Sequence, residues 1–361
     1  MARILFVEYS REIGGSVVCL YNLVKALDRK RFEPVILIGR ENHFTHELKR
    51  GGVRVLTFNP SREFWRNVAQ IRRAIRKVRP DIVHPFDELP SNTEAVLAAK
   101  SCGVKCVCHL MGENPLRKKH VLFAWLCDKM IAVSEAVKRH YLKYKVPARK
   151  LVVIHHGTNV SGFHPNESGE AFRQRHGLRK DELVVSSVGR LADLKGFDYF
   201  LHAAALAAKK VPKARFVIAG TGPEGAKLKK LAARLGLAGK TVFTGQVRKV
   251  SNLYAASDVV VLASTWREAF SNVLLEAFAM GKPVIATAVG GNPEIVHSGE
   301  VGRIVPPKNA EKMAEALVEL LTDAKLRELL GRNARKRAEQ HLDIGTTARK
   351  IEALYRELLG D

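Results

Sequence analysis

Glu268 and Glu276 are the first residues whose types and spacing point to chemistry, in the run Glu268-Ala-Phe-Ser-Asn-Val-Leu-Leu-Glu276. An ionised carboxylate accepts hydrogen bonds on both oxygens, so one such group can hold two neighbouring hydroxyls, as a ribose presents them. From Ser271 the apolar residues Val273, Leu274, Ala277 and Phe278 recur at helical spacing, and Gly281 with Pro283 ends the helix. Val259 to Leu262 is a β-branched run, so the stretch reads as strand, polar loop, helix, strand. The first N–H groups of a helix have no intrahelical partner and, with the macrodipole, attract anions. A diphosphate would sit on Phe270, Ser271 and Asn272. Glu276, one turn further on, would reach hydroxyls attached to it, and Glu268 would lie on the other side, near what the second phosphate carries. Taken alone, the pair is equally a solvated helix carboxylate and an ordinary loop carboxylate.

A cationic pair stands at a second strand end. Leu183 to Val188 is strand-like and runs into Gly189-Arg190-Leu-Ala-Asp-Leu-Lys195-Gly196. Arg190 can fork two oxygens of a diphosphate and Lys195 can add a point charge. His109 ends the strand Lys105 to Leu110, at the carboxyl edge where open α/β sheets place ligands. His84 ends its own strand similarly and reads as structural. Phe216-Val-Ile-Ala-Gly220-Thr-Gly222-Pro-Glu-Gly225 looks like a dinucleotide fingerprint. That reading wants an acidic residue about 20 positions on, and none stands between Glu224 and Asp258. Ala238-Gly-Lys-Thr241 hints at a P-loop but has Arg234 at the first glycine position and a helix ahead of it, so it is rejected.

The elements that must position these groups alternate strand and helix almost throughout, which argues for parallel sheets covered on both faces. Ile4 to Val7 is the first strand, the loop after it carries Gly14-Gly15, and Ser16 is placed as the cap of a helix through Leu27. Phe32 to Ile38, Ile82 to His84, Ile131 to Val133 and Leu151 to Ile154 follow as strands, with Ser134 capping a helix. Val160 to Asp181 is polar and reads as an interdomain linker. Leu183 restarts the pattern, and Gly302 to Val305 is its last strand. Ala310 to Asp323, Ala324 to His341 and Thr346 to Leu359 are amphipathic helices.

The E-x7-E run, the following Ala277-Phe-Ala-Met-Gly-Lys-Pro-Val-Ile-Ala-Thr and Gly290-Gly-Asn-Pro-Glu-Ile-Val resemble the retaining family 4 glycosyltransferases of GT-B fold. The family often has glycine where this chain has Ala269 and Ser271. The resemblance is specific mainly over residues 186 to 306 and implies two Rossmann-like, doubly wound domains facing each other across a crevice. Residues 1–162 would form the acceptor domain, with the terminal helix 345–361 packing back on it through Ile351, Tyr355 and Leu358. Residues 163–344 would form the nucleotide-sugar donor domain. The resemblance also implies that Arg190 and Lys195 bind the donor diphosphate, that Glu276 holds the ribose, and that Glu268 and His109 lie near the sugar. It brings the Gly15 loop and Gly222 close to the donor. The implied activity is retaining transfer of sugar from a nucleoside-diphosphate donor to a glycan or lipid, the acceptor attacking directly. No cofactor and no metal is implied, and no Asp-x-Asp pair is present. Alternatives are a nucleotide-sugar epimerase of similar fold, an NAD-dependent enzyme, and a basic anion- or nucleic-acid-binding protein.

A chain of 361 residues, 46% hydrophobic, is long enough for two domains, and no apolar run reaches the ~20 residues of a membrane span. The N-terminus reads as a strand and not as a signal peptide, which with five cysteines and no Cys-x-x-Cys pair predicts a cytoplasmic protein with reduced thiols. The formal charge of +24 calls for an anionic partner. Its basic residues cover helix faces and sit on no recognition motif, which argues against nucleic acid. Arg62, Arg66, Arg72, Arg73, Arg76, Lys77 and Arg79 cluster on or beside one helix. Arg117, Lys118 and Lys119 adjoin Val121, Leu122, Phe123, Trp125 and Leu126. This pairing of cations with apolar residues suits peripheral contact with the anionic inner face of a cell membrane.

Overall fold

The computed structural model describes residues 1–9 and 14–361. They form two compact units, Met1–Gly157 with Ile344–Asp361, and Thr158–Asp343.

The first unit is built on a seven-stranded parallel sheet of order β3-β2-β1-β4-β5-β6-β7. Its strands are β1 (Ala2–Glu8), β2 (Phe32–Ile38), β3 (Arg54–Thr57), β4 (Ile82–Pro85), β5 (Lys105–Leu110), β6 (Lys129–Ala132) and β7 (Leu151–Val153). The second unit has a six-stranded parallel sheet of order β10-β9-β8-β11-β12-β13. Its strands are β8 (Leu183–Val188), β9 (Ala214–Ala219), β10 (Thr241–Gly245), β11 (Val259–Leu262), β12 (Val284–Thr287) and β13 (Gly302–Val305). Central strands such as Val259-Val-Val-Leu262 are buried on both faces, which is why they are continuous apolar runs. In each sheet the chain winds outward one way, returns to the middle, and winds out the other way. The strand order therefore reverses between β1 and β4 and between β8 and β11, and the carboxyl ends at such a switch point form a natural ligand cleft.

Sequence periodicity finds the central strands and misses β3 and β10. Both are edge strands with no fully buried residue, so they lack the apolar run that marks the others. The first helix runs Gly15–Ala26, with extended Gly14 as its N-cap and no side-chain cap. Ser16 is thus inside the helix and does not cap it as expected. Ser134 does cap, its hydroxyl accepting from the Val137 N–H.

The polar stretch Val160 to Asp181 is not a linker. It belongs to the second unit because its few apolar residues are anchors: Phe172 and Leu178 pack with Val184, Val217 and Leu253. Arg173 adds an ion pair to Asp258 at 3.1 Å. The helix Ile344–Leu359 joins the first unit, its Ile351, Leu354 and Tyr355 buried with Leu20, Leu23 and Phe32.

Candidate functional site

The switch point of the second sheet gathers the charged residues singled out above. Arg190 and Lys195 follow β8, and Glu268 follows β11. The loop carrying Arg190 is shaped by its neighbour. Leu191 N–H donates to Thr221 O at 2.9 Å, and Glu224 N–H donates to Leu191 O at 3.0 Å. A Cβ on Gly222 would lie 2.4 Å from Leu191 O, a clash that only glycine avoids. The glycine-rich turn after β9 therefore acts on the Arg190 loop: Gly222 is spent on close packing with Leu191. Arg190 itself is exposed, and its side chain has no hydrogen bond or ion pair among the described residues.

Lys195 and Glu268, read from the sequence as separate contacts, form one ion pair with Nζ 2.6 Å from Oε2. The Ser264 hydroxyl, just beyond β11, donates to the same oxygen at 2.6 Å. Glu268 is buried, so these two donors replace much of its hydration. Its backbone is fixed as well. Gly291 N–H donates to Glu268 O at 2.9 Å, and Gly290, at φ 52°, comes so close that a Cβ there would sit 2.0 Å from that carbonyl. Thr287 Oγ1 donates to Ser264 O at 2.6 Å and Asn292 Nδ2 to Thr287 O at 3.1 Å, completing the support.

Glu276 lies on the helix Asn272–Ala279. Extended Ser271 is the N-cap, and its hydroxyl makes no capping bond, so the side chain does not close off this helix start. Tyr254 Oη donates to Glu276 Oε2 at 2.8 Å. Burial lifts the Glu276 carboxyl to about 7, against the smaller downward pull of the Tyr254 hydroxyl. A carboxyl held this far from its ordinary range gains from any ligand that brings hydrogen-bond donors to the charged form.

In the first unit, Gly15 opens the helix after the β1 loop, and four residues of that loop, 10–13, lie outside the described residues. His109 is buried at the end of β5, with Phe86 packed 4.2 Å away, ring centre to ring centre. Its Nδ1 lies 3.2 Å from His84 Nε2, and His84 Nδ1 lies 2.5 Å from Tyr355 Oη. Burial, with a lesser contribution from His84 and His156, holds the His109 imidazole well below its usual range. All five cysteines are free thiols. Cys106, Cys108 and Cys127 converge with their Sγ atoms within 4.8 Å of one another, the one group of potential metal ligands among the described residues.

Tyr254, Ser264 and Tyr355 are the partners that sequence reasoning missed. Tyr254 and Tyr355 sit on apolar helix faces and read as core, which they are. Only a hydroxyl at the tip of a core residue, set beside a predicted site glutamate or histidine, could have signalled more.

Residues 168–337 match the family model described as Glycosyl transferases group 1, and residues 13–161 the model described as Glycosyltransferase Family 4. An uncharacterized glycosyltransferase of Methanocaldococcus jannaschii is 34% identical over 241 residues, 64% of this chain and 61% of that protein. The alpha-D-kanosaminyltransferase of Streptomyces kanamyceticus is 33% identical over 188 residues, 52% of this chain and 48% of the relative. The chain thus spans about half to three-fifths of the length of these relatives. Among solved structures, the HepE protein of Anabaena in complex with UDP-glucose superposes with a TM-score of 0.87 at 23% identity, over 99% of this chain and 100% of HepE. The two family models, one on each unit of a GT-B fold, show that the chain belongs to the glycosyltransferases of the group 1/family 4 type.

Proposed function

We propose that the protein is a retaining glycosyltransferase that moves a sugar from a nucleoside-diphosphate sugar to a glycan or lipid acceptor. The observation that carries the reading is the Lys195–Glu268 pair at the switch point of the second sheet, with Glu276 on the helix that follows. HepE is a protein of this fold in complex with UDP-glucose, which supports the donor class. In the reaction the bond from the anomeric carbon to the diphosphate oxygen breaks, the acceptor oxygen bonds to that carbon on the same face, and the acceptor's hydroxyl proton passes to the departing diphosphate oxygen. Negative charge grows on the departing diphosphate. Arg190, whose side chain has no partner among the described residues, is open to it; Lys195 is shared between it and Glu268; the N–H groups at Phe270, Ser271 and Asn272 complete the anion site. Glu276 accepts from the ribose hydroxyls. Glu268, fixed by Ser264 and the Gly290-Gly291 turn, accepts from a sugar hydroxyl near the reacting carbon. Gly15 and His109 are ligand contacts of the first unit.

These cations stand where a metal would otherwise neutralise the leaving group, so transfer proceeds without one. The acceptor end of the reaction takes place at an anionic membrane surface, on the cytoplasmic side. The experiment screens the purified chain against UDP-, GDP- and ADP-sugars for thermal stabilisation and donor cleavage, with and without EDTA. One donor class should stabilise the fold and be cleaved at an EDTA-independent rate, and Lys195→Ala should lower turnover by about 10–1000-fold. No response to any nucleotide sugar would overturn the function, and loss in EDTA restored by magnesium would overturn the roles of Arg190 and Lys195.

A further inference from the structure

His109, His84 and Tyr355, from β5, β4 and the helix Ile344–Leu359, form one buried hydrogen-bonded line. Its contacts are Tyr355 Oη to His84 Nδ1 at 2.5 Å and His84 Nε2 to His109 Nδ1 at 3.2 Å. The free end is His109 Nε2, which is buried and has no partner among the described residues. Buried polar atoms without partners are rare in native proteins, and one at the end of a fixed chain marks a place for a ligand atom.

Proton count sets the direction of the line. Burial brings His84 down to about 3 and His109 well below its usual range, so each ring carries one proton and has one donor and one acceptor nitrogen. If the bonds ran from His109 toward Tyr355, His84 Nδ1–H would donate to the phenol oxygen. The Tyr355 hydroxyl hydrogen would then have no acceptor, because that hydroxyl has no other partner among the described residues. The His109 Nε2 lone pair would be open as well, so this direction leaves two buried groups unsatisfied, the donor alone costing about 1–3 kcal/mol. Run the other way, Tyr355 O–H donates to His84 Nδ1, His84 Nε2–H donates to His109 Nδ1, and both internal contacts are satisfied. The only open group is then His109 Nε2–H.

We infer that Tyr355 and His84 lock His109 in the Nε2–H form, making it a fixed hydrogen-bond donor to an oxygen of the bound ligand and excluding it as a proton acceptor. The inference rests on reading His109 as a ligand contact of the first unit, with the hydroxyl or ring oxygens of a sugar as the acceptors. Tyr355 is then a positioning residue: it touches no substrate and acts through His84 on the tautomer of His109.

Nitrogen-15 histidine labelling of the full chain, read through long-range proton–nitrogen correlations, tests this without any substrate. His84 and His109 should both show Nε2 protonated and Nδ1 bare, with no titration from pH 6 to 8. Tyr355→Phe keeps the ring and removes the hydroxyl, so both residues should become tautomer mixtures. Nδ1–H on His109 in the unaltered protein, or unchanged nitrogen signals in Tyr355→Phe, would overturn the inference. With a donor from the nucleotide-sugar screen, Tyr355→Phe should lower kcat/KM by about 3–10-fold. In a His109→Ala background the same change should have less than about a twofold effect, whereas an additive loss would make Tyr355 merely structural. If no nucleotide sugar is turned over, the functional reading fails while the nitrogen signals still decide the tautomer.

Discussion

At the scale of single residues, Glu276 makes the site sensitive to pH. Burial has raised its carboxyl from the ordinary 4.5 to about 7. Between those values the folded chain holds a proton that the unfolded chain releases. The stability from this group is therefore fully present below about 4.5 and is lost as pH rises through 7. Donor binding has the opposite slope, because only the ionised form offers both oxygens to the ribose hydroxyls as charge-assisted acceptors. Affinity for a nucleotide sugar, measured by calorimetry, should rise about tenfold from pH 6 to pH 8 and then level off. Glu276→Gln should remove that slope and bind about 10–100-fold more weakly at pH 8. A flat profile in the unaltered protein would take the ribose away from Glu276. The residue types at this site were legible in the sequence, since helix spacing and strand ends fixed the positions of Glu268, Glu276, Arg190 and Lys195. Their pairings were not. Lys195 meets Glu268 across 73 positions and Tyr254 meets Glu276 across 22, and no local periodicity reports on contacts so far apart.

At the scale of elements, turns hold the charges in place. Gly290 is the clearest case, with its left-handed backbone and its contact on Glu268 O. Gly290→Ala carries the left-handed cost of about 1–2 kcal/mol and in addition must push the Glu268 backbone away. Gly52, at φ 77° with open space where a Cβ would point, isolates the first effect. Gly52→Ala should lower the unfolding midpoint slightly and leave donor binding intact, whereas Gly290→Ala should lower it further and weaken binding at least tenfold. Equal effects on the two would mean that the Gly290 turn does not position Glu268. The strands with apolar runs were readable because burial on both faces demands such runs. The edges β3 and β10, and the anchored stretch Val160 to Asp181, were not, because a few well-placed side chains there do what a long apolar pattern does elsewhere.

At the scale of the whole molecule, the charge of +24 comes with an apolar patch on the first unit. Trp65 is 72% exposed, Leu122 63% and Trp125 51%, and Phe64 and Phe123 join the two helices that carry them, ring centres 5.9 Å apart. Arg62, Arg66, Arg117, Lys118 and Lys119 flank these residues in the sequence and are exposed. No helix among the described residues is long and apolar enough to cross a membrane. Insertion of aromatic tips among anionic headgroups suits this surface. The protein should sediment with phosphatidylglycerol vesicles at low salt, be released by high salt, and ignore phosphatidylcholine. Leu122→Ser with Trp125→Ser should weaken binding with no change in unfolding midpoint. Recovery in the supernatant under every condition would separate the charge from any membrane.

The helix Ile344–Leu359 has a consequence for how the protein is made. It supplies core to a unit whose other residues end at Gly157, and the whole second unit lies between. A ribosome adding about 5–20 residues per second needs on the order of ten seconds or more to cross that gap. During this interval the emerging first sheet lacks Ile351 and Tyr355 against Leu20, Leu23 and Phe32, and His84 lacks its phenol. The second unit, continuous in sequence, can close as soon as it is synthesised. The half that emerges first is therefore the half that finishes last.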